Sequence, residues 1–358
     1  MVQNEAPSEA LRRNERVASW GIWGLAFGYF ACYVPYSALT KAISTGMLPG
    51  MERPVPGLEL LPATVIASML GMFAFLTSRG WWKYAAHFEL FGLRLPRPTA
   101  WTFLSGLATA TIVATTTLAY TFSGTSIVFM MLLMRGGVLV IAPLVDVVSR
   151  RHVRWFSWVA LASSLAALLV NLADGGSYVL SIAAAIDVVL YLASYFVRLR
   201  FMSRFAKSDD ENANVRFFVE EQMVATPVAV MMLALLAAIG GSESLLTIRA
   251  GFTGIFSGGF LLPAIVVGLF SQGTGIFGGL ILLDKRENTF CVPVNRSSSI
   301  LAGLGAAYSL TFLFGNAPPR ASELAGAALI VAAILFLTVP GLLARRRAAA
   351  APTPRLSA

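Results

Sequence analysis

Apolar runs of about 20 residues recur from one end of this chain to the other, and each is long enough to cross a hydrocarbon layer as a helix. Ten can be counted, at 17–39, 59–78, 100–121, 125–148, 154–172, 177–199, 216–239, 255–283, 290–314 and 322–343. Lipid offers no partner to an open backbone, so spanning segments close their hydrogen bonds as helices or as a barrel. A barrel would show short alternating segments, and none occur. The expected fold class is therefore an all-α polytopic membrane protein with ten transmembrane helices. Charge agrees: 13% of residues are charged, against about 25% in soluble domains. Several runs hold a proline, among them Pro35, Pro143, Pro227, Pro263, Pro293 and Pro340, which membrane helices tolerate when neighbours take up the freed carbonyl. Lys41 to Pro62 holds Pro49, Gly50, Pro54, Pro56 and Gly57 and is expected to be an irregular loop.

The net charge of +9 reads as topology rather than as a nucleic-acid surface. With the N-terminus inside, alternate segments carry clusters: Arg12, Arg13 and Arg16, then Arg79, Lys83, Arg94 and Arg97, then Arg150, Arg151 and Arg154. Arg198 to Arg216, Lys285 with Arg286, and Arg345 to Arg347 continue the series. The intervening segments hold Lys41, Arg53, Arg249 and Arg320. The rule that basic loops stay cytoplasmic then places both termini in the cytoplasm, and the expected location is a bacterial cytoplasmic membrane. Cys32, Cys291, His87 and His152 are too scattered for a metal site or disulfide framework. No cofactor, metal or nucleic-acid partner is expected.

The chain also reads as a repeat. MLLMRGGVLVIAPLVDVVSRRHVRWFSWVALASSLAALLV and PVNRSSSILAGLGAAYSLTFLFGNAPPRASELAGAALIVAAILFL each open with a span carrying one arginine, Arg135 or Arg296. Each continues through a basic or proline-bearing loop into an Ala/Leu-rich span. Five spans per half force the halves into opposite orientations, an inverted-repeat design with the substrate site between the halves. The expected parts are tails at 1–16 and 345–358, and repeats at 17–173 and 174–344.

Ionisable groups at membrane depth are costly and usually face a cavity or the bundle interior. Arg135 and Asp187 sit at matching depths and are expected to pair, as a gate or proton-coupled switch or as a permanent structural ion pair. Asp187, Tyr191, Ser194, Tyr195 and Arg198 share one face of span 6, as a cavity lining would. Arg296, with Asn295, Ser297, Ser298 and Ser299 after Pro293, forms a donor-rich patch suited to a carboxylate or phosphate. Neutralisation of Arg296 by Glu220 or Glu221 explains the same pattern. Tyr29, Tyr33 and Tyr36 on span 1 either stack on substrate or pack. On span 3, Ser105, Thr109, Thr116 and Tyr120 are a weak signal, since threonines often bond their own helix. Gln272 is the amide deep in the glycine-rich span 8. Asp146 is expected to be solvated or paired with a loop arginine.

The stretch MRGGVLVIAPLVDVVSRRHVRWFSW, with the five-plus-five pattern, resembles the drug/metabolite transporter superfamily of EamA-like and nucleotide-sugar-transporter-like carriers. That resemblance implies alternating access around a cavity lined mainly by spans 1, 3, 4, 6, 8 and 9. The expected function is secondary transport, by export or exchange, of a small polar or anionic metabolite, driven by protons or a counter-substrate. Substrate-binding or gating residues are expected among Tyr33, Arg135, Asp187, Tyr191, Tyr195, Gln272, Asn295, Arg296 and Ser298. A lipid-linked amphiphile is the alternative cargo. Enzyme chemistry is disfavoured, because both histidines lie in loops and Asp209-Asp210-Glu211 reads as a solvated run.

Overall fold

The structure, a computed structural model, describes residues 21–339 apart from 52, 119–126, 174–180, 209, 255–259, 317, 320, 322–323, 330 and 337–338. Its helices are α1 (Ile22–Ser44), α2 (Gly57–Ser78), α3 (Ala100–Leu118), α4 (Ile127–Val148), α5 (Trp155–Ala173) and α6 (Ile182–Phe201). They continue with α7 (Ala213–Ile239), α8 (Glu243–Thr253), α9 (Leu261–Leu282) and α10 (Asn288–Phe314). A further apolar helical stretch, Leu324–Phe336, falls within the last expected span. Among the described residues six helices are long and apolar enough to cross a membrane: α1, α2, α6 with its extension to Ala206, α7, α9 and α10. Their outer faces fit that reading. Phe27, Ile182, Leu262 and Phe312 are each 70% or more exposed, a display that soluble surfaces rarely make.

Three features depart from the sequence expectation. The irregular loop after span 1 is shorter than expected, because α1 runs to Ser44 and α2 starts at Gly57. The segment after span 7 folds into α8, whose Arg249 reaches back to cap α7, donating to the carbonyls of Ala237 at 2.7 Å and Ala238 at 2.9 Å. The basic segment after span 2 is not a plain loop. It forms a 3₁₀ turn, Trp81–Tyr84, and a β-hairpin of β1 (Ala86–Leu90) and β2 (Leu93–Arg97).

Apart from the short α8, consecutive helices run up and down the bundle. At one end lie the ends of α2, α4, α6 and α9 and the starts of α3, α5, α7 and α10, where most basic residues gather; we call it the basic end. α1 packs on α9 and α10, α6 packs on α3 and α4, α2 packs on α9, and α7 packs on α3. Small residues permit these close contacts. A Cβ on Gly268 of α9 would lie 2.5 Å from the carbonyl oxygen of Thr64 on α2.

The basic end is tied shut by a polar network. Asp146, fully buried at the end of α4, is neither solvated nor paired with a loop arginine. Its carboxylate accepts the backbone N–H groups of Asn288 (3.0 Å) and Thr289 (2.7 Å), and their side chains as well. It thus caps α10 from another helix, where the orphan first-turn donors and the helix dipole favour an anion. Beside it Glu287 accepts two bonds from Arg154 and one from Ser157. Lys207 donates to the carbonyl of Arg286 at 2.8 Å, and Asn288 to the hydroxyl of Ser203 at 2.7 Å. Ser203 and Lys207 are presented by a π-helical turn, Met202–Ala206, that extends α6.

Two outcomes follow from this network. Asp146→Ala is expected to lose about 3 kcal/mol, because it strands buried backbone donors, and Asp146→Asn is expected to lose less. Equilibrium unfolding in detergent checks the ranking, and equal stability of all three proteins would refute it. Burial alone would raise the Glu287 carboxyl. Bonds from Arg154, its own backbone N–H and Ser157, with the Arg154 charge, outweigh burial and hold it below its usual value. Its contribution is therefore present above the unfolded carboxyl value, about 4.3, and is lost as pH falls through the folded value. Acid titration of unfolding should show a smaller loss in Glu287→Gln than in the parent.

Candidate functional site

A cavity of about 350 Å³ lies among α1, α2, α3, α6, α7, α9 and α10, at the small end of the range for ligand pockets. Arg198, Tyr195 and Arg296 line it toward the basic end, and Tyr36, Leu61, Val65 and Thr116 line it toward the far end. Beyond the arginines the basic end is sealed. Leu199, Met202, Phe218, Val292 and Cys291 are buried there without exposed surface.

The floor is electrostatically built. Arg198 forks onto Glu221 with bonds of 2.9 and 2.8 Å, both groups being buried. Glu221 also accepts from Ser105 at 2.6 Å and Thr109 at 3.1 Å. Glu220 faces the other way and accepts the N–H groups of Ala86 and Thr99 and the hydroxyl of Thr102. Both glutamates offered by the sequence as partners for Arg296 are therefore engaged elsewhere.

Arg296 stands about 12 Å along α10 from Asn288 at 1.5 Å per residue. It is buried, its guanidinium carbon lies 5.0 Å from the ring centre of Tyr195, and its Nε has no partner. Among the described residues no ion pair includes it. The expected hydroxyl patch around it is not assembled. Ser298 and Ser299 donate to the carbonyls of Val294 and Arg296 on their own helix, and Ser297 is buried without a partner.

Asn295 donates to the carbonyl of Gly278 at 3.3 Å, joining α10 to α9. A Cβ on Gly278 would sit 2.8 Å from the ring of Tyr29 and 3.1 Å from the Asn295 amide, so the cavity wall admits only glycine there. Gln272 accepts from Ser68 of α2 at 2.7 Å. Of the expected site residues, Tyr195, Gln272, Asn295 and Arg296 line the cavity, while Tyr33, Arg135, Asp187, Tyr191 and Ser298 lie outside its wall.

The expected pairing of Arg135 with Asp187 is not formed. Arg135 reaches across to α1, donating to the Tyr33 hydroxyl at 2.7 Å. Asp187 is buried and neither carboxyl oxygen has a hydrogen-bond partner among the described residues. The arginine instead belongs to a repeated device. Tyr29-Phe30-Ala31-Cys32-Tyr33 and Tyr191-Leu192-Ala193-Ser194-Tyr195 stand 162 residues apart, close to the 161 between Arg135 and Arg296. In each, the two tyrosines touch, with ring centres 5.5 and 4.9 Å apart. In each, the second tyrosine meets an arginine: Arg135 lies 6.0 Å from the Tyr33 ring and Arg296 5.0 Å from the Tyr195 ring. Sequence reasoning missed this pairing although the pentapeptide carries it. It placed Arg198 on the polar face of span 6, where the structure puts it on the cavity wall, but it also counted Arg198 with the basic loops and did not find its partner Glu221.

The Arg198–Glu221 fork yields a test. Removing one partner strands a buried charge, at about 3–5 kcal/mol. Glu221→Gln is expected to lose stability on that scale, whereas Arg198→Met combined with Glu221→Met recovers most of it. Detergent unfolding of the three proteins checks this; additive losses in the double variant would contradict it.

No protein-family model matches the chain, and no curated protein matches it. One solved structure, described only as "Crystal structure of protein", superposes with a TM-score of 0.53 over 90% of this chain and 96% of its own, at 15% identity. At that identity the likeness speaks to the fold alone.

Proposed function

We propose that this protein is a secondary transporter of a small organic anion, built from ten membrane spans in two inverted five-helix repeats with both termini on the basic, cytoplasmic side. The observation that carries the reading is Arg296, a guanidinium on the wall of an interior cavity with no carboxylate paired to it among the described residues. A buried charge without a counter-charge is costly, and an anionic substrate supplies the missing one. Arginine's planar fork suits carboxylate and phosphate esters alike.

Packing supports the repeat. If α1 to α4 correspond in order to α6, α7, α9 and α10, then α1 on α9 and α10 answers to α6 on α3 and α4, and α2 on α9 answers to α7 on α3. The same correspondence carries Arg135 on Tyr33 into Arg296 on Tyr195. The cavity takes in Tyr195 and Arg296 of one device but only Tyr29 of the other, leaving Tyr33 and Arg135 outside its lining. Rocking of the two halves would close the cavity over Arg296 and open its counterpart at Arg135, which is alternating access. The basic-end network of Asp146, Asn288, Arg154 and Glu287 is the closed gate of the state described. Protons or a counter-substrate drive the cycle.

An amphiphilic cargo has one feature in its favour, an apolar groove of about 340 Å³ among α2, α8 and α9, lined by Ile66, Leu70, Phe252 and Leu269. It shares no lining residue with the central cavity. The two use different faces of α2, so a headgroup in one and a tail in the other would have to pass through that helix.

Reconstituted protein in proteoliposomes, offered labelled carboxylates and phosphate esters, tests the proposal. Arg296→Ala is expected to reduce uptake at low substrate about tenfold to a hundredfold, the worth of charged hydrogen bonds, with Arg296→Lys between. Arg135→Ala is expected to slow net transport as well. Unaltered anion uptake in both alanine variants would sink the anion reading, and movement of labelled lipid without solute would favour the amphiphile.

A further inference from the structure

We propose that the β1–β2 hairpin is a membrane-surface anchor, laying its apolar face and tip into the headgroup layer of an anionic leaflet while the basic residues around it hold phosphates. The proposal rests on the membrane reading of the bundle and is independent of what the cavity carries.

The hairpin turns through two residues, Phe91 and Gly92, both with positive φ, +50° and +77°. This suits the two-residue turns that match strand twist, where Asn-Gly is the usual choice. A phenylalanine in the left-handed region is conformationally costly, and Phe91 is 96% exposed. In water it would bear both penalties without return. The register sets Phe88 opposite Leu95, and Glu89 opposite Arg94. Alternation then divides the ribbon into an apolar face with Phe88 and Leu95 and a polar face with His87, Glu89 and Arg94. Leu93 at the turn is 65% exposed. A two-stranded ribbon has no second layer of its own and needs a partner for such a face.

Position and charge identify the partner. The ribbon hangs from the turn Trp81–Tyr84 at the basic end. Near the same level Trp101 opens α3 and stacks on Phe205 at 5.5 Å, and Trp155 opens α5 with 66% exposure. Tryptophans gather where lipid meets water, so the root of the ribbon lies at headgroup depth. The Glu220 carboxylate at the base of the ribbon is buried and spent on the N–H groups of Ala86 and Thr99 and the hydroxyl of Thr102. Residues 81–99 carry Lys83, Arg94 and Arg97 against one acid of their own, Glu89. An anionic leaflet complements that charge, whereas a second copy of this chain would bring the same positive charges to the contact. Each basic residue near an anionic surface is worth about fivefold in the balance between inserted and withdrawn ribbon.

The test uses the full chain in nanodiscs of phosphatidylcholine alone or mixed equally with phosphatidylglycerol. Spin labels are placed, in a Cys32→Ser, Cys291→Ser background, at Phe91→Cys, at Glu89→Cys and at the outward Phe312→Cys of α10. Collisions with oxygen report lipid, and collisions with a nickel chelate report water. The expected result is oxygen-dominated relaxation at positions 91 and 312 and nickel-dominated relaxation at 89, with insertion at 91 stronger in the mixed lipid. Lys83→Gln, Arg94→Gln and Arg97→Gln should each lower the ratio of inserted to withdrawn ribbon about fivefold there. Nickel-dominated relaxation at 91 with oxygen still dominant at 312 overturns the anchor and leaves the bundle reading intact. Low access to both probes at 91 means that protein, such as a second copy, covers the face, and also overturns it. Nickel dominance at 312 as well overturns the membrane reading with it.

Discussion

Arg198 and Glu221 meet where neither has water, and much of the molecule is arranged around that fact. A carboxylate with four bonds, from Arg198, Ser105 and Thr109, is tolerated in an apolar interior because a buried counter-charge and two hydroxyls together satisfy it. Those bonds draw α3, α6 and α7 to one point. Gly106 of α3 makes the approach feasible, since a Cβ there would lie 2.6 Å from Val224 of α7. Once Glu221 is fully committed, it cannot serve Arg296. The charge left over on α10 is a consequence of the charge satisfied on α6.

The two ends of the bundle differ in how they are held. The basic end is closed by directed bonds, a carboxylate on a helix start and an arginine fork on Glu287. At the far end the helices meet through apolar packing of Ile43, Val55, Leu60 and Phe260, with the Arg53–Glu59 pair at its edge. Directed bonds hold one geometry and fail together, whereas apolar packing can slide and reform. A bundle with such unlike ends has a preferred side to keep shut.

Helical membrane architecture was legible in the sequence because lipid imposes one rule on every span, and apolar runs record it. Cavity residues such as Tyr195, Arg198, Gln272, Asn295 and Arg296 were legible for a related reason: they are polar where polarity is expensive. Partnerships were not legible. Asp146 and Asp187 look alike as single acids within apolar spans, yet one caps a distant helix and the other has no hydrogen-bond partner among the described residues. Which acid finds donors depends on contacts between residues more than a hundred positions apart. The hairpin escaped for the opposite cause. Five-residue strands beside prolines and arginines leave too short an alternation to stand out from a basic loop.

The π-helical turn at Met202–Ala206 sets the phase of the chain that follows it. Such a turn holds one residue more than the α-helix around it. That residue re-phases the helix, so Arg198 can point inward to Glu221 while Ser203 and Lys207 reach the start of α10. Deleting a single residue within the turn would swing everything after it by roughly 100°, one step of a 3.6-residue helix. The floor would stay intact and the tether to α10 would be lost. A residue lost after Lys207 would leave that phase untouched, whereas one lost from the five residues before it would not.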